Sequence, residues 1–107
     1  MITTIDAETL YAWQLERRDF ILVDTLPLSD YEKNHLPGAI HIRSDDIIQQ
    51  APVKLPEKNV LIVVYCASSK CKRAGLSAER LKTLGYSKVI HYIGGIKAWL
   101  TAGYPLQ

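Results

Sequence analysis

Val60-Leu61-Ile62-Val63-Val64-Tyr65 is apolar at every position, and Cys66 follows it directly. A strand with one face in water alternates apolar and polar residues. A strand apolar throughout is buried on both faces, as in a parallel sheet covered by helices. A buried helix segment has the same hydrophobicity, but four β-branched residues in this stretch disfavour it. Downstream, Ala74, Ala78, Leu81 and Leu84 recur at helical spacing and Gly85 supplies a stop. Val89 to Ile93 reads as the next strand, Gly94-Gly95 as a turn, and Ile96 to Leu100 as a last helix. Upstream, Thr3 to Ile5 reads as a strand, and Asp6 caps a helix over Glu8 to Leu15 that buries Leu10 and Trp13. Phe20 to Val23, ending at Asp24, is a second apolar run. Ser29 to Lys33 forms a short helical turn, and Leu36-Pro37-Gly38 turns the chain into a strand over Ala39 to Ile42. Ser44 is expected to cap a helix over Asp45 to Gln50 that Pro52 stops.

Strands alternating with helices predict an α/β fold: a central parallel sheet with helices on both sides. In such sheets ligands bind at the carboxyl ends of the strands. Here that rule points to Cys66.

The 107 residues suit one domain, 1–107, with a single core. At 48% hydrophobic and 22% charged, the chain is too apolar for disorder. A net charge of +2 argues against a strongly basic nucleic-acid binder. No run reaches the ~20 apolar residues of a membrane span. Met1 to Asp6 lacks the pattern of a signal peptide, so a cytoplasmic location is expected. Cys66 and Cys71 are the only cysteines. A reducing compartment disfavours a structural disulfide. Two thiolates are too few for a zinc site, and His35, His41 and His91 lie at no ligand-like spacing to them. No metal or organic cofactor is expected.

The segment after the central strand reads Cys66-Ala67-Ser68-Ser69-Lys70-Cys71-Lys72-Arg73 and leads into a helix starting near Lys72 or Arg73. Loop N–H groups, the helix's positive end and the cations Lys70, Lys72 and Arg73 all favour a thiolate. Cys66 is therefore expected to titrate below the free value of ~8.5, as a nucleophile facing an anion-binding loop built from residues 67 to 73. The bland alternative is a cysteine that serves as a small buried hydrophobe. The cations and the small residues Ala67, Ser68 and Ser69 favour the reactive reading.

Several ordered segments resemble the single-domain rhodaneses, a sulfurtransferase family. Asp30-Tyr31-Glu32-Lys33-Asn34-His35-Leu36-Pro37-Gly38-Ala39-Ile40-His41-Ile42 is similar to the family's Glu-aromatic-x-x-Gly-His-Ile-Pro-Gly-Ala-x-x-Ile stretch. Val63-Val64-Tyr65-Cys66 is similar to the strand before its catalytic cysteine. Leu84-Gly85-Tyr86, Gly94-Gly95-x-x-Ala98-Trp99 and Gly103-Tyr104-Pro105 resemble its closing signature. The resemblance implies a five-stranded parallel sheet and a persulfide on Cys66. The sulfur would come from a small anionic donor such as thiosulfate. A thiol or protein acceptor, or cyanide in assays, would remove it. Asp24 is expected to bond loop amides, His35 to position the turn at Pro37-Gly38, and Gly94 and Gly95 to allow close backbone approach beside the site.

The chain also departs from the family pattern. The common loop has six residues with a basic residue five after the cysteine, where this chain has Cys71. A longer loop, Cys66 to Lys72, is shared with rhodanese-fold phosphatases and arsenate reductases, so an oxyanion substrate is the first alternative. Lys72 lacks the bidentate contact that an arginine makes with phosphate. A non-enzymatic sulfur-carrier or partner-binding module is the second alternative. Cys71 either resolves the Cys66 persulfide, leaving a disulfide and releasing sulfide, or simply faces the core. The family's Asp-Val-Arg is Asp24-Thr25-Leu26 here, and Asn34 replaces a glycine whose left-handed backbone it tolerates.

Overall fold

The computed structural model describes residues 2–107. Met1, the first residue of the expected domain and of the N-terminal stretch read for a signal peptide, lies outside the described residues. Five strands form one sheet: β1 (Thr3–Ile5), β2 (Ile21–Asp24), β3 (Ile40–His41), β4 (Leu61–Tyr65) and β5 (Lys88–Tyr92). Their order is β1-β5-β4-β2-β3, and every pairing is parallel. Five helices accompany them: α1 (Ala7–Leu15), α2 (Leu28–Lys33), α3 (Ile47–Lys54), α4 (Arg73–Thr83) and α5 (Gly95–Thr101).

The continuous apolar run becomes the central strand. Ile62 and Val64 of β4 enter one buried cluster, with Ile47 and Ala51 of α3 and Ala74, Ala78 and Leu81 of α4. Val63 and Tyr65 enter the other, with Leu10 of α1 and Trp99 of α5. The strand's period of two thus feeds two cores, and Ile62 to Tyr65 are buried throughout. Val23↔Val64 and Asp24↔Tyr65 fix the register of β2 on β4. β2 leads outward to β3, whereas β4 leads to β5 on the opposite side. The direction of winding reverses between β2 and β4, and at such a point a crevice opens beyond the strand ends.

Local chemistry sets the boundaries. Asp6 caps α1 by accepting the Thr9 amide at 2.9 Å. Gly85 ends α4 at φ +98°, and the Tyr86 amide closes back on Leu81 O at 3.1 Å.

Four expectations differ from the structure. Pro52 does not stop the third helix but sits inside it. The bond it cannot donate would go to the carbonyl of Ile48, whose side chain is exposed, so that face is solvated. The carbonyls of Ala51 and Leu55 at its end accept from the Tyr86 hydroxyl. Ser44 makes no side-chain cap and instead begins a 3-10 turn, Ser44–Asp46, with Arg80 donating to its carbonyl at 2.6 Å. Asn34 is extended at φ −169°, not left-handed. Trp99 is fully buried, but Trp13 is only half-buried, with the Arg18 guanidinium 4.4 Å from its ring centre.

Candidate active site

Cys66 leaves the sheet at the carboxyl end of its central strand, beside the point where the winding reverses. The segment Cys66–Lys72 then loops back before α4 starts at Arg73, so seven residues join the strand to the helix. It is tied internally by Cys71 N to Ser68 O at 3.1 Å and by Lys70 N to Ser68 Oγ at 3.3 Å.

The loop is also held from outside, by α5. The amides of Ile96 and Lys97 donate to the carbonyls of Cys66 and Ala67 at 3.1 and 2.9 Å. These bonds need the two backbones almost in contact. A Cβ on Gly95 would lie 2.5 Å from Cys66 O and 2.7 Å from Ser68 N, and Gly95 itself has φ +64°. Gly94 packs against Ala98, whose Cβ leaves no room for a side chain there.

The Cys66 side chain is buried, with 1% of the residue exposed. The amides of Ala74, in the first turn of α4, and of Ala67 face its sulfur and favour the thiolate. Its S–H lies 3.4 Å from Cys71 O. Cys71 is half-buried, packed against the α3–α4 core on one side and reaching the surface on the other. Ala67, Ser69, Lys70 and Lys72 are exposed around the rim, with Ser68 and Arg73 partly covered. Two shallow grooves flank this rim and meet at Ser69. One runs along α5 through Lys97 and Thr101, the other along α4 through Leu76 and His91.

The expected depression of Cys66 is overturned. Burial, and then the hydrogen bond with Cys71, push the Cys66 thiol up to about 11. Cys71 moves the other way. Burial opposes its ionisation, but the Cys66 S–H, the amides of Arg73 and Ala67 and the Arg73 charge outweigh that and lower it below the ordinary thiol range. The cationic loop therefore acts on the outer cysteine. The Lys70 and Lys72 charges project into water, where they are screened from the buried sulfur.

Asp24 ends β2 as a fully buried residue. Its Oδ1 accepts the Leu26 amide at 2.9 Å, the loop-amide bond expected from sequence, and its Oδ2 accepts the Tyr65 hydroxyl at 2.7 Å. In sequence Tyr65 is no more than the end of the apolar run. Its hydroxyl also accepts the Leu36 amide at 3.0 Å, so it ties β2, β4 and the turn before β3 together beneath the loop. Thr25 adds two bonds to Tyr65 O, from its amide at 3.1 Å and its hydroxyl at 2.9 Å. The signal available in sequence was a hydroxyl-bearing ring at the end of a buried strand, since such a group requires a partner. His35 lies in the turn before β3, where Nδ1 meets Tyr31 O at 2.8 Å and the ring stacks on Tyr31 at 4.0 Å.

Among the described residues no three His, Cys, Asp or Glu side chains cluster to hold a metal, and no helix is long and apolar enough to cross a membrane.

Known proteins are similar to this chain in sequence and fold. A sulfurtransferase of Allochromatium vinosum is 29% identical over 99% of this chain and 95% of its own. The thiosulfate sulfurtransferase GlpE of Coxiella burnetii is 30% identical over 84% of this chain and 81% of its own. A longer Bacillus subtilis relative, YrkF, is 30% identical over 73% of this chain, and the match spans 40% of that protein. Among solved structures, the rhodanese-like domain of Alr3790 from Anabaena superposes with a TM-score of 0.89 at 27% identity, covering 100% of this chain and 80% of that one. The model of the rhodanese-like domain matches residues 6–102, and on that match this chain belongs to the rhodanese-like family.

Proposed function

We propose that this chain is a sulfurtransferase that carries sulfane sulfur on Cys66. The observation that supports this most directly is the setting of Cys66: a buried sulfur at the end of the central strand, faced by the amides of Ala67 and Ala74. Those amides offer bonds to a thiolate, or to the outer sulfur of a persulfide, without needing a metal ion. Residues 1–107 act as one module, in a reducing compartment such as the cytoplasm, where both cysteines stay free. Fractionation of a tagged chain checks that placement.

The pair holds one negative charge before it holds two, and that charge rests mainly on Cys71. When Cys66 passes its proton to Cys71, the Cys66 thiolate attacks the outer sulfur of thiosulfate. A new S–S bond forms on Cys66, the donor's S–S bond breaks, and sulfite leaves with the electron pair. A thiol or cyanide then attacks the outer sulfur of the persulfide, and the Cys66 thiolate leaves. The Ala67 to Arg73 segment binds the donor anion, with Lys70, Lys72 and Arg73 supplying positive charge at the rim.

The test is incubation with thiosulfate, intact mass, then cyanide and a thiocyanate assay, with Cys66→Ser beside the wild type. The wild type should gain one sulfur atom and form thiocyanate, and Cys66→Ser should do neither. The seven-residue loop keeps a second reading in play, oxyanion chemistry of the phosphatase or arsenate-reductase kind. An aryl phosphate run in parallel separates the two. Cys66-dependent phosphate release with no sulfur uptake would sink the sulfurtransferase reading.

A further inference from the structure

The two cysteines of the loop have different access. Cys66 is 1% exposed and faces inward, out of reach of a peptide thiol. Cys71 lines an open groove of about 420 Å³ beside α4, whose walls include Leu76 at 50% exposure and Ile93 at 39%. The Cys66 Sγ lies 3.4 Å from Cys71 O, and the Ala67 amide faces both sulfurs. An acceptor chain in the groove therefore meets Cys71 and not Cys66.

We propose that Cys71 is a second sulfur carrier, taking the sulfane sulfur from Cys66 and handing it to peptide or protein thiols that dock in the groove along α4. This rests on the sulfurtransferase reading above and adds the acceptor class and the route. Leu76 and Ile93 give the groove an apolar wall, and Lys72 and Glu79 give it one charge of each sign. An acceptor cysteine flanked by apolar residues complements that wall.

The step balances without an oxidant or reductant. The proton that Cys71 took during loading moves to the outer sulfur of the Cys66 persulfide. The Cys71 thiolate then attacks that sulfur, its bond to Cys66 Sγ breaks, and a bond to Cys71 Sγ forms. The amides of Ala67 and Ala74 receive the charge as Cys66 leaves. A persulfide is more acidic than a thiol, so the proton finishes on Cys66, where the Cys71 carbonyl accepts it. The acceptor thiolate then repeats the exchange at Cys71.

The experiment loads the wild type, Cys66→Ser, Cys71→Ser and Cys71→Ala with thiosulfate and removes the donor. Alkylation and fragmentation of the loop peptide then locate the added sulfur. Loaded protein is chased with a reduced cysteine-containing peptide or with cyanide. In the wild type, sulfur should be found on both cysteines, and in Cys66→Ser on neither. Both Cys71 variants should hold it on Cys66 alone and pass it to the peptide roughly tenfold more slowly. Wild-type sulfur confined to Cys66, with peptide transfer as fast in the Cys71 variants, would overturn the relay. So would a Cys66–Cys71 disulfide formed with release of sulfide, or Cys71 variants that take up no sulfur while the wild type does. No sulfur on the wild type at all would instead overturn the sulfurtransferase reading, and the relay with it.

Discussion

Gly95 presses its backbone against the carbonyl of Cys66, so that a Cβ on the glycine would stand 2.5 Å from that oxygen. The contact lets α5 donate two amides into the Cys66–Lys72 loop. Gly95→Ala should therefore cost twice, through φ +64° and through a backbone overlap that no rotamer relieves. The expected loss is about 3 kcal/mol or more, with sulfur uptake falling as the loop shifts. Gly38→Ala is the matched control. Its φ is +79° but nothing lies within 4 Å, so only the conformational cost of roughly 1–2 kcal/mol remains. Denaturant midpoints of the two variants compare the effects, and equal losses would mean that the contact is not tight.

The Asp24–Tyr65 bond predicts a pH signature. Burial raises the Asp24 carboxyl above its usual range, although the Leu26 amide and the Tyr65 hydroxyl pull it down. A carboxyl raised in the folded state contributes stability fully below its unfolded value of ~3.9 and loses that contribution as pH rises through the folded value. The stability advantage of the wild type over Asp24→Asn should therefore shrink as pH rises above the unfolded value of ~3.9. Thermal melts across that range check the sign, and an advantage that grows with pH would refute it. Tyr65→Phe leaves a buried carboxylate oxygen and the Leu36 amide without their partner, at a cost of about 1–3 kcal/mol.

The parts of the fold legible in sequence were those set by burial pattern. The run Val60–Tyr65 announces a strand covered on both faces, and Ala74, Ala78, Leu81 and Leu84 announce the helix that covers one of them. Gly85 and Asp6 marked helix ends by chemistry that acts within a few residues. Pro52 misled because its breaking rule assumes a missing partner. The carbonyl it leaves free, that of Ile48, lies on a solvated face, and distant Tyr86 holds the helix end beyond it; a local rule sees neither. The polarity of the cysteine pair was hidden for a related reason. Charge near Cys66 in sequence suggested an acidic thiol, but desolvation depends on the α5 contact and the core behind the loop, and it exceeds the pull of exposed lysines.

His35 is expected to act on stability alone. Its ring is held by Tyr31 O and stacked on Tyr31, whose hydroxyl donates to Ala39 O at 2.7 Å. Its backbone exchanges two hydrogen bonds with Gln107, at 3.2 and 2.8 Å. His35→Ala should lose about 1–2 kcal/mol from the stack and the bond. Below its melting temperature it should take up sulfur at the wild-type rate. Single-turnover uptake measures this, and a folded variant slowed by more than about tenfold would place the imidazole among the reacting groups.

Cys71 should control the titration of Cys66. Burial is the larger influence on the inner thiol and remains in any variant, but the hydrogen bond to Cys71 and the repulsion from its charge add to it in the same direction. Cys71→Ala removes both additions. The pH profile of Cys66 alkylation should then move down from about 11, and alkylation at neutral pH should quicken. Arg73→Ala should act on the other partner, because loss of that charge moves the Cys71 profile up. Alkylation rates read by mass on each loop cysteine resolve the two profiles. If Cys66 kept its profile in Cys71→Ala, burial alone would set it, and the pair would not share a proton.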